Sequence, residues 1–238
     1  MQADSTGRGR RSGCVPGLPL HSHDTLTISS LLAIHSFQPC GAMMPENREL
    51  VAHIGETFND ARRKGTKVPR DLVRSWIRER DLEVQCCVYA KLAEPQTAVT
   101  IEPPLSVEEA VDFLMTHLGR CFVENLHGEW CRGRYVAGWD LVGWFLAFWK
   151  DRDVAREVPE RLKEWMAGLY RDGDSELREC LVTATLEHLF ERKPIARFFS
   201  DWADDPVLGV AYKEAMLWPE HGGRAPLVRS PEPKRRKK

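Results

Sequence analysis

Cysteine and histidine cluster in one part of this chain: Cys121, His127 and Cys131 lie close together, His117 sits just upstream and Cys180 further along. Thiolate and imidazole are donors that zinc accepts, so Cys121, His127 and Cys131, with Cys180 or His117 as a fourth ligand, are the first chemistry to weigh. Their spacing does not reproduce the paired-cysteine knuckles that make zinc motifs specific. Thiols inside helical patterns, joined to a loop histidine, read more simply as packing residues, and neither a metal nor a cofactor is expected. Glu187 and His188 resemble an acid–base pair on paper, but neighbours on a helix point about 100° apart and do not easily share one substrate proton. His127, Glu129 and Arg134 would serve an enzyme only if a cleft held all three together. No glycine-rich phosphate loop, nucleophile elbow or paired-carboxylate motif occurs, so no catalytic residue is expected.

Recognition by contact is better supplied. Seven of the eight tryptophans fall within residues 102–218. Most must fill the core, because each is large and the region is small. Trp130 in GEWCRGRY and Trp202 in SDWADD differ, since polar turn residues flank both. An exposed aromatic beside Arg or Asp is the composition of an interface hot spot. The candidate binding residues are therefore Trp130, Arg134, Trp202, Asp201, Asp204 and Asp205. The competing explanation for each tryptophan is a loop folded back onto the core.

The formal net charge of −1 hides an uneven distribution. Residues 219–238 carry seven Lys/Arg against two Glu, which leaves residues 43–218 near −7. An acidic body repels phosphate, so nucleic-acid binding is expected only weakly, through the Lys234–Lys238 tail. No apolar run reaches the roughly 18–20 residues needed to span a bilayer. Residues 26–34, LTISSLLAI, are a poor signal peptide, being short and interrupted by Thr and Ser. Seven cysteines form no regular framework, which fits reduced thiols and a cytoplasmic location.

The elements that would position these residues are helical almost throughout. Residues 1–42, rich in Gly, Ser, Pro and Arg, are expected to be a disordered arm, or to precede a true start at Met43 or Met44. Residues 45–92 read as a helical hairpin, with cations and Gly65 closing its first helix and Pro69 restarting the next. Residues 93–104 form a Pro-rich linker in which TAVTI is a short extended piece without a hairpin partner. Residues 105–218 form the main domain, opened by a capping box of Ser106 and Glu109. Within it, WDLVGWFLAFWK at 139–150 is apolar on every face and reads as a buried central helix. The stretch 173–192 sorts, at about 100° per residue, into two faces. Glu176, Glu179, Thr183, Glu187 and Glu191 form one, and Leu177, Leu181, Val182, Thr185, Leu186 and Leu189 the other. Residues 219–238 are a basic, disordered tail. The expected fold is all-α, an antiparallel helical stack that is HEAT-like or an irregular bundle.

Three passages carry a likeness: GEWCRGRYVAGWDL, LYRDGDSELREC, and LVTATLEHLFE followed by FFSDWADDPVLGVAY. Through them, and the upstream VRSWIRERDLEVQCCVYA, residues 46–218 resemble bacterial all-helical domains of unknown function. The turn and helix at 173–192 are similar to a HEAT-like unit, and such proteins resemble immunity-type and adaptor proteins encoded beside bacterial toxins. The resemblance supplies no catalytic residues. The acidic body, the tryptophan-rich helical stack and the lack of a reactive constellation lead to the expectation of a protein partner and a non-catalytic cytoplasmic interaction module. The alternatives are a DNA-associated regulator working through the tail and an enzyme without a recognisable motif.

Overall fold

Apolar residues three and four apart bury Ile54, Phe58 and Ala61 on one side of the first helix, α1 (Arg48–Lys64). It stops where Gly65 takes φ 63°, a left-handed conformation open to glycine without a Cβ penalty, and returns its N–H to the Ala61 and Arg62 carbonyls. The computed structural model describes residues 47–93, 99–128, 132–151 and 156–220. The expected arm at 1–42, linker residues 94–98, Trp130 and the tail from 221 onward lie outside them.

Strand β1 (Val68–Pro69) leads into α2 (Arg70–Ile77). Helix α3 (Leu82–Ala93) starts separately, because the Asp81 carboxylate accepts from the Glu83 and Val84 amides and caps it. Of the extended piece expected at 97–101, Ile101 enters a strand, β2 (Ile101–Glu102), which pairs in parallel with β1, Val68 opposite Ile101. A parallel partner leaves no hairpin signal, so local sequence could not reveal the pairing.

Helix α4 (Val107–Glu124) opens on the expected capping box, with the Glu109 amide donating to Ser106 and the Ser106 amide to the Glu109 carboxylate. Then come α5 (Arg134–Lys150) and α6 (Glu157–Asp172). Helix α7 (Ser175–Cys180) continues without a break through a π-helical segment (Leu181–Leu186) into α8 (Glu187–Phe190). After α9 (Lys193–Phe198), a 3-10 turn (Ser200–Asp204) leads to α10 (Leu208–Glu220). The fold is all-α, and among the described residues the strands are the short pair β1–β2. No described helix is long and apolar enough to cross a membrane.

Helix α5 sits at the centre, with Leu141, Trp144, Phe145 and Phe148 buried. Its sequence is apolar on every face, but the helix begins at Arg134 and its first turns are open: Tyr135, Val136 and Trp139 are exposed. Burial all round therefore fails at the N-terminal end. The hairpin at 45–92 shares one continuous core with residues 105–218, and the Trp144 indole donates to the Tyr89 hydroxyl at 3.0 Å across the two. Along α7 and α8 the two expected faces separate: Leu177, Leu181, Val182, Thr185, Leu186 and Leu189 are all buried, while Glu176, Glu179 and Glu191 are exposed.

Trp144→Ala should cost roughly 3–5 kcal/mol of folding stability, the range for truncating a buried large aromatic. It also strips the Tyr89 hydroxyl of its indole donor. Urea denaturation of wild type and variant measures the difference, and a loss below about 1 kcal/mol would remove α5 from the core.

Candidate functional site

Four of the candidate binding residues lie on the 3-10 turn after α9 and the residue that follows it. Trp202 is 3% exposed and packs edge-on against Phe199, ring centroids 5.0 Å apart. The polar residues around it belong to the turn backbone, and the indole points into the core, so Trp202 presents no surface to a partner. Asp201 pairs with Lys163, whose buried ammonium also donates to the Phe198 carbonyl and lies 4.8 Å from the Phe198 ring centroid. Asp205 accepts from the Val207 and Leu208 amides at the start of α10 and from Arg171 at 2.7 Å. The Leu208 amide, then Arg171 and the Val207 amide, hold its carboxyl down at about 2. Asp204 is exposed. The cleft over this turn, about 370 Å³, is lined by Glu160, Lys163, Glu164, Arg171, Asp201 and Asp205. Both its cations already hold carboxylates.

Arg134 is also structural. It is 4% exposed, its Nε donates to the Phe122 carbonyl at 2.8 Å, and its Nη1 and Nη2 reach Asp174 at 3.0 and 3.2 Å. Asp174 itself caps α7 through the Leu177 amide. His127 is exposed on the turn after α4. Trp130, Glu129 and Cys131 lie outside the described residues. An enzyme site of His127, Glu129 and Arg134 is not supported, because the Arg134 guanidinium is engaged in the interior. Chain continuity makes the Trp130–Arg134 pairing attractive in sequence; three-dimensional packing gives Arg134 a different task.

Sequence reasoning overlooked a surface where aromatic and acidic side chains meet. On the first turns of α5, Tyr135, Val136 and Trp139 are 49%, 42% and 43% exposed, one helical turn or less apart. The Trp139 ring lies on His188, centroids 4.0 Å apart, and His188 meets the Trp218 ring edge-on at 5.8 Å. Glu191 ties the cluster together, accepting from the Trp218 indole at 3.2 Å and facing His188 Nδ1 at 3.2 Å. Beside His188, Glu187 is partly buried, and burial raises its carboxyl pKa. No ion pair to Glu187 is present among the described residues. The available signal was the excess of apolar side chains in YVAGWDLVGW: a helix apolar all round offers more surface than its neighbours can cover.

Beneath the junction of α3, α4 and α5 lies a buried polar centre. Arg132 and Asp140 pair at 2.8 Å with both side chains about nine-tenths buried. Arg132 stands 5.2 Å over the Tyr89 ring, and the Tyr89 hydroxyl hydrogen-bonds Asp140. Burial, then the Asp140 charge, pushes that hydroxyl well above its ordinary pKa, so it stays protonated and donates. His117 stacks on Tyr89 with centroids 4.5 Å apart. It is wholly buried, and burial brings its pKa down to about 3, so the ring is neutral at ordinary pH. Its Nε2 lies 3.7 Å from Cys121 Sγ. The residues whose donor atoms converge are Cys86, His117 and Cys121, within 4.8 Å of one another. This differs from the set drawn from sequence: His117 and Cys121 are retained, Cys86 enters from α3, and Cys180 and His127 are not part of the group. Burial pushes the Cys180 thiol up to about 12, which makes it an unreactive core residue.

No family model, curated protein or solved structure matches this chain.

Two expectations follow from the turn at 200–205. Trp202→Ala should destabilise the protein by roughly 3–5 kcal/mol, as for other buried large aromatics, and thermal melting reports it directly. Asp205→Ala should also lower the melting temperature near neutral pH. The Asp205 carboxyl titrates lower in the folded state, so its contribution is complete above its ordinary value of 3.8 and is lost as pH falls through about 2. Melting curves from pH 7 downward should show wild type and Asp205→Ala converging only in that acidic window.

Proposed function

We propose that this chain is a non-catalytic protein-interaction module whose docking face is Tyr135, Val136 and Trp139, bordered by Glu187, Glu191 and the exposed Glu176 and Glu179. The observation that carries the reading is the exposure of Trp139, whose ring lies on His188 with the Glu191 carboxylate facing that imidazole. An exposed aromatic offers large area at small entropic cost, and a partly desolvated carboxylate gains from an incoming cation. The partner with matching chemistry is a basic protein that brings an apolar pocket for Trp139 and Lys or Arg side chains for the glutamates. The acidic charge of residues 43–218 adds long-range attraction for such a partner. An immunity-type role, masking a basic toxin or enzyme, is the sharpest form of this proposal. Cytoplasmic residence is part of it and rests on the thiols.

The alternative of a DNA-associated regulator rests on the Lys234–Lys238 tail alone. Salt-dependent retention on DNA that vanishes on removing residues 229–238 would favour it.

Trp139→Ala should fold with a melting temperature close to wild type, since the residue is 43% exposed. Affinity capture from the native host should yield a basic protein with the wild type and not with Trp139→Ala. Surface plasmon resonance on that partner should show faster dissociation, worth roughly 2 kcal/mol or more for a hot spot. Glu187→Lys with Glu191→Lys should mainly slow association and flatten its salt dependence. Identical partner capture by wild type and all these variants would overturn the assignment of this face.

A further inference from the structure

We propose that Cys86, His117 and Cys121 form a structural zinc site that ties α3 to α4. The proposal is independent of the docking face and stands on four observations. First, the donors converge: two come from one face of α4, four residues apart, and the third from α3, all within 4.8 Å. A tetrahedral zinc with ordinary Zn–S and Zn–N bonds holds sulfur and nitrogen roughly 3.6 Å apart. The Cys121 Sγ to His117 Nε2 separation is 3.7 Å. Closing the rest of the cluster asks for side-chain movements of about an ångström, within the reach of two χ1 rotations.

Second, the donor set selects the ion. Two thiolates and an imidazole suit zinc, whereas calcium and magnesium take oxygen. Third, the charges cancel. Two thiolates neutralise a divalent ion, and an imidazole ligand adds no charge. A neutral complex is what a sealed interior tolerates, and Cys86, His117 and Cys121 are 1%, 0% and 0% exposed. Monovalent copper on the same donors would leave a net negative charge in the core. Fourth, the imidazole is poorly satisfied without an ion. Its Nε2 faces the Cys121 thiol, a weak hydrogen-bond partner. A metal at Nε2 replaces that weak contact with a coordinate bond. Binding releases the two thiol protons to solvent, one for each sulfur that becomes a ligand, and no oxidant or reductant is needed. Three protein donors fill three of the four tetrahedral positions of zinc.

The site would sit where the hairpin at 45–92 meets the main helical region, next to the Tyr89–Trp144 hydrogen bond. Its role is that of a staple between segments joined in sequence by the proline-rich linker.

The test uses the full chain, reduced and stripped of metal, with Co²⁺ and Zn²⁺ as probes. Co²⁺ should saturate at one equivalent and give both the visible bands of a tetrahedral ion and thiolate-to-cobalt charge transfer. One equivalent of Zn²⁺ should abolish those bands and raise the melting temperature. Cys86→Ser and Cys121→Ser should each weaken the charge-transfer band, while Cys87→Ser and Cys180→Ser leave it intact. If the site variants do not fold, alkylation of the wild type decides the matter. Zinc should slow labelling of Cys86 and Cys121 at least tenfold under mild denaturant, and a chelator should restore it. A folded wild type without a charge-transfer band overturns the proposal. So does a band that survives both serine variants, or labelling of Cys86 and Cys121 that is indifferent to zinc.

Discussion

At Gly138, helix α5 lies directly against the π segment, and the placement of most other features depends on that contact. The Thr185 hydroxyl donates to the Gly138 carbonyl at 3.1 Å, and a Cβ at position 138 would stand 2.8 Å from the Ala184 Cβ. Glycine, alanine and threonine permit backbones to approach this closely; larger side chains would hold the helices apart. From that pivot, the start of α5 brings Arg134 to the Asp174 cap of α7. One residue past the pivot, Trp139 lies over His188, and further along Trp144 reaches Tyr89. The interior surface, the exposed aromatic face and the link to the hairpin are three consequences of one helix position. The six-residue π segment is itself uncommon. Its wider turns are a local departure from α geometry of the kind that recurs at functional sites, and it runs directly into the helix carrying Glu187 and His188.

Three long cations, Arg134, Lys163 and Arg178, reach the carbonyls at helix ends. Arg134 donates to the Phe122 carbonyl near the end of α4, Lys163 to the Phe198 carbonyl at the end of α9, and Arg178 to the Tyr170 and Arg171 carbonyls at the end of α6. The last carbonyls of a helix lack intrahelical partners and carry the negative end of its dipole, so a guanidinium or ammonium is well matched to them. The same residues pass through apolar surroundings on their methylene stems, as the contact of Lys163 with Phe198 shows. Several corners of the stack are therefore joined by cations. Glu176, Glu179 and Glu191 are exposed, with Glu176 3.3 Å from Arg134 and Glu191 facing His188.

The polar centre follows a related logic with a different balance. Arg132, Asp140 and Tyr89 come together in a sealed region, where a lone charge would be far more costly than a pair. His117 shares that region without an equally good partner for its Nδ1. Its other ring nitrogen, Nε2, faces the Cys121 thiol at 3.7 Å.

Much of the local structure was determined by the sequence itself. The Gly65 stop, the Asp81 and Asp174 caps, the Ser106–Glu109 box and the two faces of 173–192 all depend on residues within a few positions of each other, where side chain and backbone meet whatever the rest of the fold does. The candidate site was far less legible. Trp202 in SDWADD carries the composition of an exposed loop, yet Phe199 and the core take its ring, and Lys163 and Arg171 from another helix claim the aspartates. Trp139 lies in a run that reads as core, yet it is exposed, because helices packed on one side of α5 leave its first turns uncovered. Cys86 joins His117 and Cys121 only because α3 crosses α4 at that level, across a separation of more than thirty residues. Short-range hydrogen bonding is written in neighbouring residues. Which apolar surface is covered, and which donors converge, is decided by how distant helices pack, and only the tertiary structure holds that information.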